Sequence, residues 1–172
     1  ARNSGAKYVA LDIGPLGQLM QPMGTLTFDE AYDAYLEQIL AGKEAGADLI
    51  LLETMSDLSE VKAGVLAAKE TCDLPVFVTM TYQEDGRTFV GCNPESAALT
   101  LSGLGVDALG VNCSLGPKEL MPVIEKLLAY ASVPVMVQPN AGLPKIKHGQ
   151  TVYDITPDDY AAFMQTIAQR GV

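Results

Sequence analysis

Residues 105–117 read GVDALGVNCSLGP and join an apolar run to a polar ending. The apolar part, 107–112, predicts a short strand, and the Gly-Pro pair that follows marks a turn. Asn112 and Cys113 therefore fall at the tip of that strand. Similar apolar runs occur at 7–14, 48–53, 75–82 and 134–139. Because these runs do not alternate with polar residues, they indicate burial on both faces and predict a parallel sheet.

Amphipathic stretches separate the strands and predict helices at 28–45, 58–71, 94–104, 118–131 and about 156–169. The strand–helix–strand spacing is typical of βα units. A weak internal echo also links AGADLILLET (45–54) with LGVDALGVNC (104–113) and suggests repeated modules. No linker or low-complexity segment divides the sequence, so residues 1–172 are predicted to form a single α/β domain.

Two architectures fit βα units of this kind: a doubly wound sheet and part of a (βα)8 barrel, which usually takes about 250 residues. No Gly-x-Gly-x-x-Gly follows a predicted strand, which weakens the dinucleotide-binding version of the doubly wound sheet. Polar residues recur at the ends of the predicted strands. In a barrel these ends converge on one mouth, where active sites are built, so the pattern favours the barrel. The residues in question are Asp12, Glu53, Thr79, Thr81, Asn112, Cys113, Gln138 and Asn140.

The composition limits which binding partners and which cellular compartment we expect for this protein. Of the 172 residues, 48% are hydrophobic and 19% are charged, which argues against disorder. A formal net charge of −10 predicts a surface that repels nucleic acid and anionic membranes. No apolar stretch approaches the roughly 20 residues of a membrane span, and no secretory leader opens the sequence. The cysteines, odd in number and well spread, predict reduced thiols in a cytoplasmic protein.

Five segments carry a family resemblance: VALDIGPLGQLMQPMG (9–24), LLETMSD (51–57), DGRTFVGCNPES (85–96), DALGVNCSLGP (107–117) and VQPNAGLP (137–144). Together they resemble the homocysteine-binding domains of cobalamin-dependent methionine synthases, a branch of the zinc-dependent homocysteine methyltransferases. The resemblance spans nearly the whole chain. It implies an incomplete (βα)8 barrel of about five βα units, similar to units three to seven, without the first two units and the last strand. Such a chain is expected to be inactive alone.

The resemblance also implies a zinc site. Cys113 matches the first of three cysteine ligands, and the other two are expected beyond Val172, in a Gly-Gly-Cys-Cys segment. Cys92 faces the same mouth in this reading but does not bind the metal. Zinc would activate the homocysteine thiol, which then takes a methyl group from methylcobalamin to give methionine. The implied partners are homocysteine and the cobalamin-binding and pterin-binding domains of the parent protein.

Other site residues follow from the resemblance, each with a structural alternative. Glu53 is implied to bind the amino group of homocysteine, or else caps the next helix or pairs with a core residue. Asn140 orients the amino-acid end of the substrate, or simply forms a turn. Asn112 holds the geometry around Cys113, or is purely structural. Asp12 belongs to the substrate site or braces its own loop.

Other functions remain open at this point. The same family chemistry could use a small methyl donor such as a betaine or S-methylmethionine. The chain could also be a metal-free fold fragment without catalytic activity. The open edges of an incomplete sheet could pair with another chain and cause self-association. His148, the single histidine, is predicted to be a solvated loop residue.

Overall fold

The computed structural model describes residues 2–113, 115–142, 145–147, 149–153 and 155–172. His148 lies outside these residues. Within them, strands and helices alternate up to a hairpin and a last helix. The strands are β1 Ala10–Ile13, β2 Leu49–Met55, β3 Val76–Met80, β4 Ala108–Asn112, β5 Val135–Gln138, β6 Lys145–Lys147 and β7 Gln150–Val152. The helices are α1 Phe28–Glu44, α2 Leu58–Thr71, α3 Pro94–Gly103, α4 Pro117–Tyr130 and α5 Pro157–Ala168, preceded by a short 3-10 turn at Arg2–Ser4.

Four helices, α1, α2, α3 and α5, begin after a residue whose side chain accepts from one of the first free N–H groups, whereas α4 begins after Gly116 without a side-chain cap. Thr27 and Glu30 form a capping box ahead of α1. Asp57 caps α2, Asn93 caps α3 and Thr156 caps α5, each through a side-chain oxygen. These caps fix where the loops before α1, α2, α3 and α5 end.

The main sheet follows the order β1-β2-β3-β4-β5, and every neighbouring pair is parallel. A doubly wound sheet reverses its order at a switch point, whereas in a barrel the order follows the chain. The predicted α/β fold, a partial (βα)8 barrel, is therefore confirmed, and the strand order excludes the doubly wound alternative. Strands β6 and β7 form a separate antiparallel hairpin, which the polar sequence around 145–152 did not predict.

A buried carboxylate connects the first two helices to the loop after β1. Glu60 of α2 is only 2% exposed, and its Oε1 accepts from the Tyr35 hydroxyl at 2.8 Å and from the Leu16 amide at 2.7 Å. Burial, and then the charge of Glu60, raises the pKa of Tyr35, so its hydroxyl remains a donor. This arrangement holds the loop after β1 against the core.

Two aspartates hold the amino ends of neighbouring strands together. Asp48, just before β2, accepts from the Val9 amide through Oδ2 at 2.7 Å and donates its own amide to the Val9 carbonyl at 2.8 Å. Asp107, just before β4, accepts from the Val76 amide at 2.8 Å and donates to the Val76 carbonyl at 2.8 Å. Lys69 also lies 2.8 Å from Asp107 Oδ2. The internal echo therefore corresponds to a repeated contact at the base of the sheet.

Among the described helices, none is long and apolar enough to span a bilayer.

Candidate functional site

Strands β2 and β4 end in the same unusual backbone conformation. Thr54 has φ 60° and Cys113 has φ 59°, and in the described part of the chain these are the non-glycine residues with positive φ. A β-branched residue seldom adopts this left-handed region, because its side chain meets the neighbouring carbonyl. The register of β2 with β3 shifts between Leu52 and Met55, so Thr54 lies in an irregularity of the strand. The left-handed residues mark the carboxyl-terminal rim of the sheet.

A closed set of hydrogen bonds joins Thr54, Asn112 and Cys113. The Thr54 amide donates to Asn112 Oδ1 at 3.1 Å, and Asn112 Nδ2 donates to Thr54 Oγ1 at 2.7 Å. Asn112 Nδ2 also donates to Cys113 Sγ at 3.3 Å, and Thr54 Oγ1 lies 3.8 Å from the same sulfur. Asn112 is 2% exposed, so its amide is oriented by these partners and not by solvent. The sulfur of Cys113 consequently faces two polar groups that can donate to it.

Backbone contacts fix the same residues from the neighbouring strands. The Thr54 amide has a second acceptor in Thr79 Oγ1 at 3.3 Å, and Thr79 is fully buried in β3. The Cys113 amide donates to the Gln138 carbonyl at 3.1 Å. Side chains and amides of β2, β3, β4 and β5 therefore meet at the rim, as the sequence predicted for the strand ends.

Glu53 lies on the same rim, beside charged and polar groups from the two outer strands. Burial raises the pKa of its carboxyl, the negative charge of Asp12 raises it further, and a hydrogen bond from the Gln138 side chain partly offsets both. Because β2 and β5 are not neighbours in the sheet, this contact requires the sheet to curl as a barrel does. Asp57 caps α2, so the structure does not support the alternative in which Glu53 caps that helix.

Asp12 and Asn140 also lie at the rim but are more exposed than Asn112. Asp12, on edge strand β1, is exposed, and its charge acts on Glu53. Asn140 follows β5 and is half-buried, and its amide donates to the Leu115 carbonyl at 3.0 Å. That bond holds the loop after β5 against the loop after β4. The structure therefore brings Glu53 and Asp12 together at one part of the rim and Asn112 and Cys113 together at another, while Asn140 is held by Leu115 in the loop after β4.

A cavity of about 240 Å³ lies between the loops that follow β3, β4 and β5. Its described lining contains none of the five predicted site residues. We place the candidate site at the rim and not in this cavity, because the polar side chains and the strained backbone converge at the rim. The cavity is lined by Glu84, Leu115, Gly116, Glu119, Gly142, Lys145 and Ile155.

Cys113 is the cysteine that the structure places at the strand tips near these polar groups. Cys92 packs partly buried against the core and donates to the Asn93 carbonyl at 3.4 Å. Burial and the charge of Asp57 raise the pKa of Cys92, while Arg87 lowers it, so its thiol is not poised to ionise. Cys72 lies at the end of α2. The donors around the Cys113 sulfur suit a thiolate ligand, but the described residues contain no group of three or more His, Cys, Asp or Glu that could hold a metal. Cys113 can therefore supply only one ligand of a zinc site that needs about three or four.

Thr54 lies on the rim, although it is not among the predicted site residues. The signal was present in the internal echo, which aligns Thr54 with Cys113 and Glu53 with Asn112. The structure shows that the aligned pair also shares its backbone conformation. Gln138 falls at a predicted strand tip, but its contact with Glu53 depends on the curvature of the sheet, which the sequence does not show.

Comparisons with known proteins agree on one family. A family model described as homocysteine S-methyltransferase matches residues 1–172. Methionine synthases of Mycobacterium leprae and Mycobacterium tuberculosis are each 35% identical over 172 residues, which is 96% of this chain and 14% of theirs. The chain thus spans about a seventh of the length of these relatives. The homocysteine methyltransferase MmuM of Escherichia coli, in its apo form, has a TM-score of 0.72 at 22% identity, covering 96% of this chain and 57% of that one. At that identity the likeness supports the fold.

Proposed function

Since this chain belongs to the homocysteine S-methyltransferase family, we propose that it binds homocysteine and holds its thiol for methylation to methionine. The observation that carries the proposal is the rim itself, where the Cys113 sulfur sits among polar donors and the Glu53 carboxylate lies on a nearby strand end. We further propose that the chain acts as part of a methionine synthase, an assignment supported by relatives that bear that name and are much longer.

Glu53 is the group we assign to the amino end of homocysteine. Its carboxyl is partly desolvated and lies close to the like charge of Asp12, and both effects disfavour the ionised form. A substrate ammonium would offset both and form a charge-assisted hydrogen bond. Gln138 holds the carboxylate in place by donating to it, and Asp12 adds negative charge to the same region.

We assign Asn112 to positioning the Cys113 sulfur and Asn140 to positioning the substrate. Asn112 fixes the sulfur of Cys113 through Nδ2, and because Asn112 is buried it cannot turn away from that sulfur. Asn140 ties the loop after β5 to the loop after β4 and presents an amide side chain for the amino-acid end of the substrate. These roles divide the rim into a sulfur end and an amino end.

Cys113 is assigned as a zinc ligand. When bound, zinc supplies a Lewis acid that lowers the pKa of the substrate thiol, so that the nucleophilic thiolate forms at neutral pH. The assignment requires further thiolates, which the described residues do not provide and which we expect from a segment beyond Val172. We therefore expect the 172-residue chain alone to hold no zinc and to be inactive.

The methyl donor is proposed to be methylcobalamin on another domain of the same protein. A small donor, such as a betaine or S-methylmethionine, is the alternative within the family. Supplying the whole protein with each donor in turn and detecting methionine by mass spectrometry separates the two. Methionine formed from a small donor in the absence of cobalamin would contradict the first assignment.

The zinc assignment is tested by replacing Cys113→Ser in the whole protein and measuring metal content and homocysteine binding. We expect the parent protein to bind zinc stoichiometrically and the variant to lose both the metal and the substrate. Cys72→Ser is the matched control, because Cys72 lies at the end of α2 and donates to the Ala68 carbonyl at 3.4 Å. Retention of zinc by the Cys113 variant, or stoichiometric zinc in the 172-residue chain alone, would contradict the assignment.

A further inference from the structure

We propose that Thr54 is a positioning residue that fixes the sulfur of Cys113 through its hydroxyl. The inference rests on the proposed function, because it concerns the sulfur that we assign to metal binding. It goes beyond that function by giving a role to a residue on a different strand, one that is not among the predicted site residues.

Either atom could donate in the contact between Thr54 Oγ1 and the Cys113 sulfur, and the form of the sulfur decides which one does. A hydroxyl has one hydrogen to donate and two lone pairs. Asn112 Nδ2 donates to Oγ1 at 2.7 Å, which uses a lone pair. As a metal ligand the Cys113 sulfur is a thiolate without a hydrogen, so in that form the Thr54 hydroxyl, 3.8 Å away, is the donor of the pair. Asn112 Nδ2 donates to that sulfur as well, at 3.3 Å, so the sulfur receives two donors from different strands.

The backbone conformation of Thr54 is what brings its hydroxyl to this position. Threonine seldom adopts φ 60°, and such strain persists only where the surroundings impose it. Here the Thr54 amide is held by two acceptors, Asn112 Oδ1 at 3.1 Å and Thr79 Oγ1 at 3.3 Å. A strand without this irregularity would direct successive side chains to opposite faces. The strain therefore serves to keep the Thr54 hydroxyl beside the sulfur.

Donors to a ligand sulfur orient it and stabilise its negative charge. Removing a group that hydrogen-bonds to a metal ligand typically lowers metal affinity by about 10–100-fold. Thr54→Val preserves the size and branching of the side chain and removes only the hydroxyl. Thr54→Ser retains the hydroxyl and removes the methyl group. The two variants separate hydrogen bonding from packing.

The experiment uses the 172-residue chain with Cys72→Ser and Cys92→Ser, which leaves Cys113 as the single thiol. The probe is the phenylmercuric ion, which binds one thiolate and so needs no further ligand, and its apparent affinity is measured by competition with glutathione. We expect Thr54→Val to weaken binding by about tenfold or more and Thr54→Ser to stay close to the parent. Thr71→Val is the matched control, because its hydroxyl donates to the Ala67 carbonyl at 2.6 Å near the end of α2.

Equal affinity in Thr54→Val and the parent would overturn the inference, as would equal weakening by Val and Ser. If Thr54→Val fails to fold, Thr54→Ala and Thr54→Ser replace it as a pair that differs only in the hydroxyl. Failure of the proposed function has another signature: the whole protein would bind neither zinc nor homocysteine, whatever the result with the mercurial. The two failures are therefore distinguishable.

Discussion

The two ends of the sheet use carboxylates in opposite ways. At the base, burial raises the pKa of Asp107, but the hydrogen bonds from Lys69 and from the Val76 amide together bring it below its ordinary value. At the rim, burial and the charge of Asp12 raise the pKa of Glu53, and Gln138 only partly compensates. Asp107 at the base is therefore paired with groups of its own chain. The rim glutamate has a like charge for a neighbour, and a cation beside it would offset that charge.

The internal echo between 45–54 and 104–113 makes this comparison sharper. Each of the two segments contains an aspartate at the base and a left-handed residue at the rim. Asp48 and Asp107 begin the two copies and bind neighbouring strands in the same way. Thr54 and Cys113 end the copies with the same left-handed backbone. In a barrel, the amino ends of strands serve stability and the carboxyl ends serve chemistry. Here that division falls within one repeated stretch of ten residues.

The largest expected effect is on substrate binding at the rim. Replacing Glu53→Gln removes the charge that we assign to the substrate ammonium, and a hydrogen bond to a charged group is worth about 1.5–3 kcal/mol. We expect homocysteine affinity, measured by calorimetry on the whole protein, to fall by a corresponding factor of about 10–150. Glu37→Gln, on the exposed face of α1, is the control and should bind normally. Unchanged affinity in Glu53→Gln would remove the assigned role.

The next effect is on stability at the base. Replacing Asp107→Ala leaves the Val76 amide and Lys69 without their partner. The Asp107 side chain is 45% exposed, so we discount the ion pair and expect a loss of about 1–2 kcal/mol in unfolding free energy. Asp48→Ala should behave alike, because it makes the equivalent contact with Val9. Urea denaturation measures both, with exposed Asp73→Ala as the control. A large loss of homocysteine binding in either base variant would break the division between the two ends.

The smallest expected effect is on how the unfolding free energy changes with pH, which should differ in direction between Asp107 and Glu53. The pKa of Asp107 is lowered below 3.8, so its contribution to stability is present above 3.8 and is lost as the pH falls through the lowered value. The pKa of Glu53 is raised above 4.5, so its contribution is present below 4.5 and is lost as the pH rises through the raised value.

Urea denaturation between pH 2 and 7 tests this through the neutral variants. The deficit of Asp107→Asn relative to the parent should shrink as the pH falls below 3.8. Glu53→Gln should match the parent at low pH and gain on it as the pH rises above 4.5. The same trend in both variants would show that the two carboxylates do not differ in the way described.

The sequence predicted the parts of the molecule that depend on local patterning. The predicted helix 58–71 has the same bounds as α2, and the polar strand tips around Glu53, Asn112 and Cys113 do meet at one rim. The strained state of Thr54 could not be predicted, because threonine disfavours it and only the contacts with Asn112 and Thr79 impose it. The Glu53–Gln138 contact depends on curvature between strands that are distant in the sheet. The β6–β7 hairpin lacks the apolar run that marked the other strands.

The left-handed ends of β2 and β4 also matter for anyone who would rebuild this barrel. Idealised backbones in protein design avoid positive φ at residues other than glycine unless it is intended. Regularising Thr54 and Cys113 would give a smoother sheet, and it would turn the hydroxyl away from the sulfur. A design that copies the strands and loops of this fold must therefore copy its two irregular strand ends as well.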